Sequence, residues 1–153
     1  MIDGVKIGWV SGNYSPKDFT GDPRNGKYHH FRADDLEKVL NEKSGIDVLL
    51  IHDWPSVRRL QEYIVRDSVV CTGNLDQAIK RNLGNDPLYE LVMQVRPKYV
   101  FCGHMHLPLR FSLKIDNDVI KFEGLSIVGQ EGSVCTLDTE KIGIDSYQSR
   151  TGD

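Results

Sequence analysis

"FCGHMHLP", Phe101 to Pro108, sets two histidines one residue apart directly after the apolar, β-prone run Lys98-Tyr99-Val100-Phe101-Cys102. Read as a short buried strand, Tyr99 to Cys102 delivers the residues that follow it to the carboxyl end of a sheet. In extended backbone, positions i and i+2 share a face, so His104 and His106 can converge on one spot. Gly103 lets the chain turn sharply between strand and histidines and lets backbone approach a bound group. A second segment has the same form: "IDVLLIHDWP", Ile46 to Pro55, is a short apolar run that ends at His52. Ligand sites of open α/β sheets lie outside the carboxyl ends of their strands. If these two strands are neighbours, three imidazoles gather, and imidazole nitrogens suit Zn²⁺, Fe and related first-row ions.

Working outward, "GVKIGWVSG" (residues 4–12) alternates Val5, Ile7 and Trp9 with Lys6, Gly8 and Val10 and predicts a strand. The stretch from Asn13 to Arg32 is rich in Gly, Pro, Asn and Asp and reads as a long loop with too little apolar periodicity to bury itself. "DDLEKVLNEKSG" predicts a helix carrying Leu36, Val39 and Leu40, with Gly45 placed to end it. Pro55 to Leu83 reads as mostly helical with a break at Thr72-Gly73-Asn74. In "NDPLYELVMQV", Asp86 is the expected N-cap and Pro87 the first helical residue, with Leu88, Leu91, Val92 and Val95 on one face. From Leu107 on, "LRFSLKI", "VIKFEGL", "SIVG", "VCTLDT" and "KIGIDSY", separated by the turns "DND" and "QEGS", read as an antiparallel meander. Helices in the first two thirds and consecutive strands in the last predict a mixed α/β (α+β) fold.

A chain of 153 residues has room for one domain with a substantial core. The net charge of −3 and pI near 5.9 give no global attraction to nucleic acid, so a polyanionic substrate needs a local positive site, which bound dications would supply. Three cysteines without CxxC spacing argue against a disulfide framework and for a reducing, cytoplasmic location. No window approaches the roughly 18 apolar residues of a membrane span, so no membrane partner is expected.

"GHMH" at 103–106, preceded by "RPKYVFC", together with "IDVLLIHDWP" at 46–55, resembles the last two motifs of the calcineurin-like metallophosphoesterases. Within that superfamily the resemblance is nearest to the RNA lariat debranching enzymes, in which an "HDWP" segment recurs. "GVKIGWVSGNYSPKDF" at 4–19 is similar to the strand and loop that precede it there, and "HHFR" at 29–32 is similar to a Tyr-His-x-Arg segment. The resemblance implies a β-sandwich flanked by helices and two divalent metals (Mn, Fe or Zn) about 3.5–4 Å apart, with hydrolysis of a phosphate mono- or diester by a metal-bound hydroxide. It implies His52 and His104 on one metal, His106 on the other, and His30 and Arg32 against substrate phosphate. Asp53 and Trp54 are expected to position and pack.

The family also places Asp-x-His, Gly-Asp and Gly-Asn-His-Glu/Asp motifs in an N-terminal half, and none of them precedes the matched segments within residues 1–153. Residues 1–153 are therefore expected to be a single domain, the C-terminal part of a metallophosphoesterase catalytic domain. The partners this implies are a phosphoester substrate, nucleotide or nucleic acid, and a missing N-terminal half or a second copy of the chain. Three imidazoles without a bridging carboxylate do not hold two dications close together. The catalytic residues proper stay unassigned, and two alternatives stand beside the enzyme: a non-catalytic binding or scaffold domain, and a mononuclear zinc protein that uses His52, His104 and His106.

Overall fold

The computed structural model describes residues 2, 4–21, 29–42, 45–130, 133–139 and 143–148. The elements run β1 (Ile7–Val10), α1 (Pro16–Phe19), α2 (Ala33–Asn41), β2 (Val48–Ile51), α3 (Val57–Leu60), β3 (Ile64–Val70), α4 (Thr72–Lys80), α5 (Asp86–Val95), β4 (Tyr99–Cys102), β5 (Leu109–Ile115), β6 (Asp118–Gly124), β7 (Val134–Asp138) and β8 (Gly143–Gln148). Six strands form one sheet in the order β1-β2-β4-β6-β5-β3, and β7 and β8 form a separate ribbon. β1, β2, β4 and β6 are mutually parallel, β5 runs antiparallel to β6, and β3 at the edge runs antiparallel to β5.

One face of the sheet packs on helices around Leu49, Trp54, Leu88, Val92, Val100, Phe111 and Phe122. The opposite face presents Val5, Val48, Tyr99 and Phe101, and Cys135 and Leu137 of the ribbon cover it. Burial on both faces explains why β4 reads as four consecutive apolar residues rather than as an alternation. The fold is thus mixed α/β, with a partly antiparallel sheet flanked by helices. Among the described residues no helix is long and apolar enough to cross a membrane.

β2, β4 and α5 stand where the sequence predicts them, but several other readings are corrected. Asn85, not Asp86, caps α5: its side chain accepts from the Leu88 amide, 3.0 Å, which moves the helix start by one residue. Residues 55–83 are not mostly helical, because Ile64–Val70 forms an edge strand on β5. The register slips between Val65 and Val70, and there the Ser68 hydroxyl stands in for the ladder, donating to the Val65 carbonyl (2.6 Å) and accepting from the Ser112 amide (2.7 Å). The expected break at Thr72 is instead the start of α4, entered through left-handed Cys71 (φ 66°).

The alternation in β1 is shifted as well. Gly8 and Val10 face the helices, and Trp9 is 70% exposed. The Asn13–Arg32 loop does bury itself where it is described: it contains α1, and Tyr14, Phe19 and Phe31 form an aromatic cluster with Phe31 only 1% exposed. Its central residues, 22–28, lie outside the described residues. The C-terminal strands are not a simple meander either. β6 returns beside β4 in parallel, "SIVG" forms a turn rather than a strand, and part of the "QEGS" turn (131–132) lies outside the described residues.

Candidate metal centre

β2 and β4 are direct neighbours in register, Val48 against Tyr99 through Ile51 against Cys102. Their ends therefore release His52 and Gly103 side by side. The Gly103 amide donates to the His52 carbonyl, 3.2 Å, which extends the ladder one step past both strands. The imidazoles of His52 and His104 then meet, with ring centroids 5.1 Å apart and both residues exposed.

His106 is also exposed, but the H-x-H segment is not extended. His104 (φ 59°) and His106 (φ 51°) are both left-handed, so the shared-face argument for extended backbone does not describe this turn. The sharp bend expected at Gly103 falls on His104 instead. A Cβ at Gly103 would meet only the His52 carbonyl, at 3.9 Å, an ordinary contact. Among the described residues no group of three or more His, Cys, Asp and Glu side chains gathers as a metal-binding set.

The support beneath the pair comes from "HDWP". The buried Asp53 carboxylate accepts from the Tyr14 amide (3.0 Å), the Trp54 amide (2.8 Å) and Asn85 Nδ2 (3.1 Å). One side chain thus ties the segment after β1, the His52 turn and the cap of α5 together. It is turned into the protein and already occupied by three donors, so its part is structural. Asp53→Ala would strand those donors at buried or half-buried sites and cost about 3–4.5 kcal/mol at roughly 1–1.5 kcal/mol per lost bond; urea unfolding checks this, and a change below 1 kcal/mol would contradict it. Sequence reading foresaw a positioning role for Asp53, but not its partners, which lie 39 and 32 residues away.

The other two residues singled out in the sequence lie on the segment that runs beside the end of β1. His30 pairs through a bridge at Asn13, and its Nδ1 lies 2.5 Å from Asp18 Oδ2. The His30 ring holds the Asp18 carboxyl below its ordinary range. Arg32 is the N-cap residue of α2, its amide donating to Asp35 Oδ2 at 3.1 Å, and its Nη1 lies 3.5 Å from the Gly21 carbonyl.

Two exposed imidazoles in contact at adjacent strand ends fit two ligand positions of a first-row divalent ion. No family model matches the sequence. The sequence is 26% identical over 140 residues to lariat debranching enzyme A of Xenopus laevis, an alignment covering 76% of this chain and 23% of that protein. Identity to the Homo sapiens lariat debranching enzyme is 30% over 115 residues (68% of this chain, 21% of that protein). The Arabidopsis thaliana lariat debranching enzyme is 27% identical over 139 residues (79% and 32%). The chain therefore spans only about a fifth to a third of the length of the curated relatives it matches. Over some seven-tenths of its own length, it is similar to the lariat debranching enzymes, members of the metallophosphoesterase superfamily.

Proposed function

We propose that these residues are the C-terminal part of the catalytic domain of a metal-dependent phosphoesterase acting on a phosphodiester of nucleotide or nucleic acid type. The observation that carries this reading is the contact of His52 with His104 at the carboxyl ends of two adjacent parallel strands. Similarity to lariat debranching enzymes across the chain supports it. His52 and His104 would hold one divalent ion (Mn, Fe or Zn), and His106 would serve a second. When bound, such ions stabilise charge on phosphoryl oxygens and acidify a water.

The chain's own residues orient the ligands. Asp53 and the Gly103–His52 hydrogen bond fix the turns that carry them. His30 and Arg32 would meet substrate phosphate beside the end of β1. The remaining ligands, a bridging carboxylate among them, would come from polypeptide outside these 153 residues, either covalently upstream or in a partner. The coverage of only a fifth to a third of each relative supports this division.

Titration with Co²⁺, followed by its d–d absorption, tests the reading directly. The wild-type chain is expected to bind, and His52→Ala and His104→Ala are each expected to reduce binding to background. Equal binding by wild type and both variants would overturn the assignment. Supplying the upstream portion should then raise Mn²⁺-dependent hydrolysis of bis(p-nitrophenyl) phosphate above that of the chain alone. A monodisperse chain that binds no metal would favour the scaffold alternative, for which the lack of a three-residue ligand set among the described residues speaks.

A further inference from the structure

Trp54 is fully buried, yet its indole nitrogen reaches the loop that carries the second histidine, donating to the Gly103 carbonyl at 2.6 Å. Its ring is fixed from below by Phe122, with centroids 5.4 Å apart and planes at 74°. From the side it is fixed by Gly124, where a Cβ would stand 2.6 Å from Trp54 Cζ2. Gly103 is therefore held at both ends. Its amide donates to the His52 carbonyl, and its carbonyl accepts from the residue two places after His52. Beyond this clamp, His104 adopts a left-handed φ of 59°, a conformation that a non-glycine residue keeps only when its surroundings over-determine it. Asn74 Nδ2 donates to the Pro108 carbonyl at 2.6 Å and anchors the far end of the same loop.

We infer that Trp54 is a positioning residue for the histidine pair: its indole N–H, through the Gly103 carbonyl, sets the His104 ring against His52. The chemistry needs a donor at that place and not only an aromatic volume. Phe would keep the packing against Phe122 and lose the bond. The metal-binding arm of the test rests on the phosphoesterase reading, whereas the geometric arm does not.

The experiment is NMR on the metal-free protein, followed by Co²⁺ titration. In wild type, ring protons of His52 and His104 should show a mutual nuclear Overhauser effect, and the Trp54 indole proton should exchange slowly with solvent. Trp54→Phe should lose the inter-ring effect and bind Co²⁺ about 10- to 100-fold more weakly, the usual consequence of removing an outer partner of a ligating histidine. Ile115→Ala, which opens the core at the far end of β5, is the control. It should lower the melting temperature while leaving both the inter-ring effect and Co²⁺ affinity at wild-type values.

A Trp54→Phe protein that keeps the inter-ring effect overturns the inference. So does a wild-type protein that lacks it. If the variant does not fold, the indole proton of wild type decides alone: slow exchange supports the bond to Gly103, and exchange as fast as that of a solvent-facing indole overturns it. A wild type that shows the inter-ring effect but binds no Co²⁺ removes the phosphoesterase reading and leaves the role of Trp54 to be judged on geometry.

Discussion

Gly84→Ala should destabilise this protein by about 2–5 kcal/mol, and the reason is purely steric. Gly84 sits at φ +91°, where a Cβ would fall 2.1 Å from the Pro55 carbonyl oxygen, 2.5 Å from its carbon and 2.8 Å from the Trp54 oxygen. None of these is the flexible end of a side chain. All belong to backbone that Gly84's own neighbours hold in place: Asn85 donates to the Trp54 carbonyl, Ser56 to the Asn85 carbonyl and Val57 to the Leu83 carbonyl. Left-handed backbone costs an L-residue about 1–2 kcal/mol, and overpacking costs about 1–3 kcal/mol more. At roughly 2–4 °C per kcal/mol for a chain of this size, the melting temperature should fall by about 4–20 °C. Gly73→Ala is the matched comparison. Gly73 lies in the first turn of α4, its added Cβ would meet nothing within 4 Å, and the substitution should be neutral or stabilise by up to about 1 kcal/mol. Equal melting temperatures for the two variants would refute the account.

Arg110→Ala has an expected cost of about 3–5 kcal/mol, for an electrostatic reason. Arg110 on β5 and Glu123 on β6 are register partners, their Nε and Oε1 are 2.7 Å apart, and Glu123 is 0% exposed. Ile120 and Phe122 point to the helices, so Glu123 faces the other side of the sheet. The β7–β8 ribbon lies there, and burial together with the nearby Glu123 pushes the Cys135 thiol up to about 11, Arg110 opposing. Removing the guanidinium takes its counter-charge from a fully buried carboxylate, and such charges are costly to keep buried. Replacing both partners, as Arg110→Met with Glu123→Leu, should recover most of the loss, because a buried pair and a well-packed apolar pair differ little in stability. Urea unfolding of the single and double variants measures the difference. A double variant as unstable as Arg110→Ala would contradict it.

Elements buried on both faces, or closed by a strong local signal, are legible from their residues alone. β4 matches its apolar run, and α5 is announced by Asn85-Asp86-Pro87 and its 3.6-residue spacing. β3 was not legible, because the alternation of Ile64–Val70 serves an edge strand whose irregular register needs Ser68 and β5 to make sense. Trp9 misled for a related reason: the rule that large apolar residues mark the core face fails when Gly8 occupies that face against Ile46 and Leu49. Within the site, the juxtaposition of His52 with His104 follows from two strand ends and holds. The left-handed turn at His104 and His106, the triple acceptance by Asp53 and the reach of Trp54 do not follow, since each depends on residues brought together only by the completed sheet.

β2 and β4 are inner strands, flanked by β1 and β6. Separating the two strand ends that carry His52 and His104 therefore requires rupture of an inner parallel ladder, an event of the same scale as global unfolding. The spacing of the two backbones is for that reason a permanent property of the folded chain, whereas the rings they carry turn about side-chain bonds. On the phosphoesterase reading, an ion arriving there would find both backbones in place, and only rotation of the side chains would remain for it to fix.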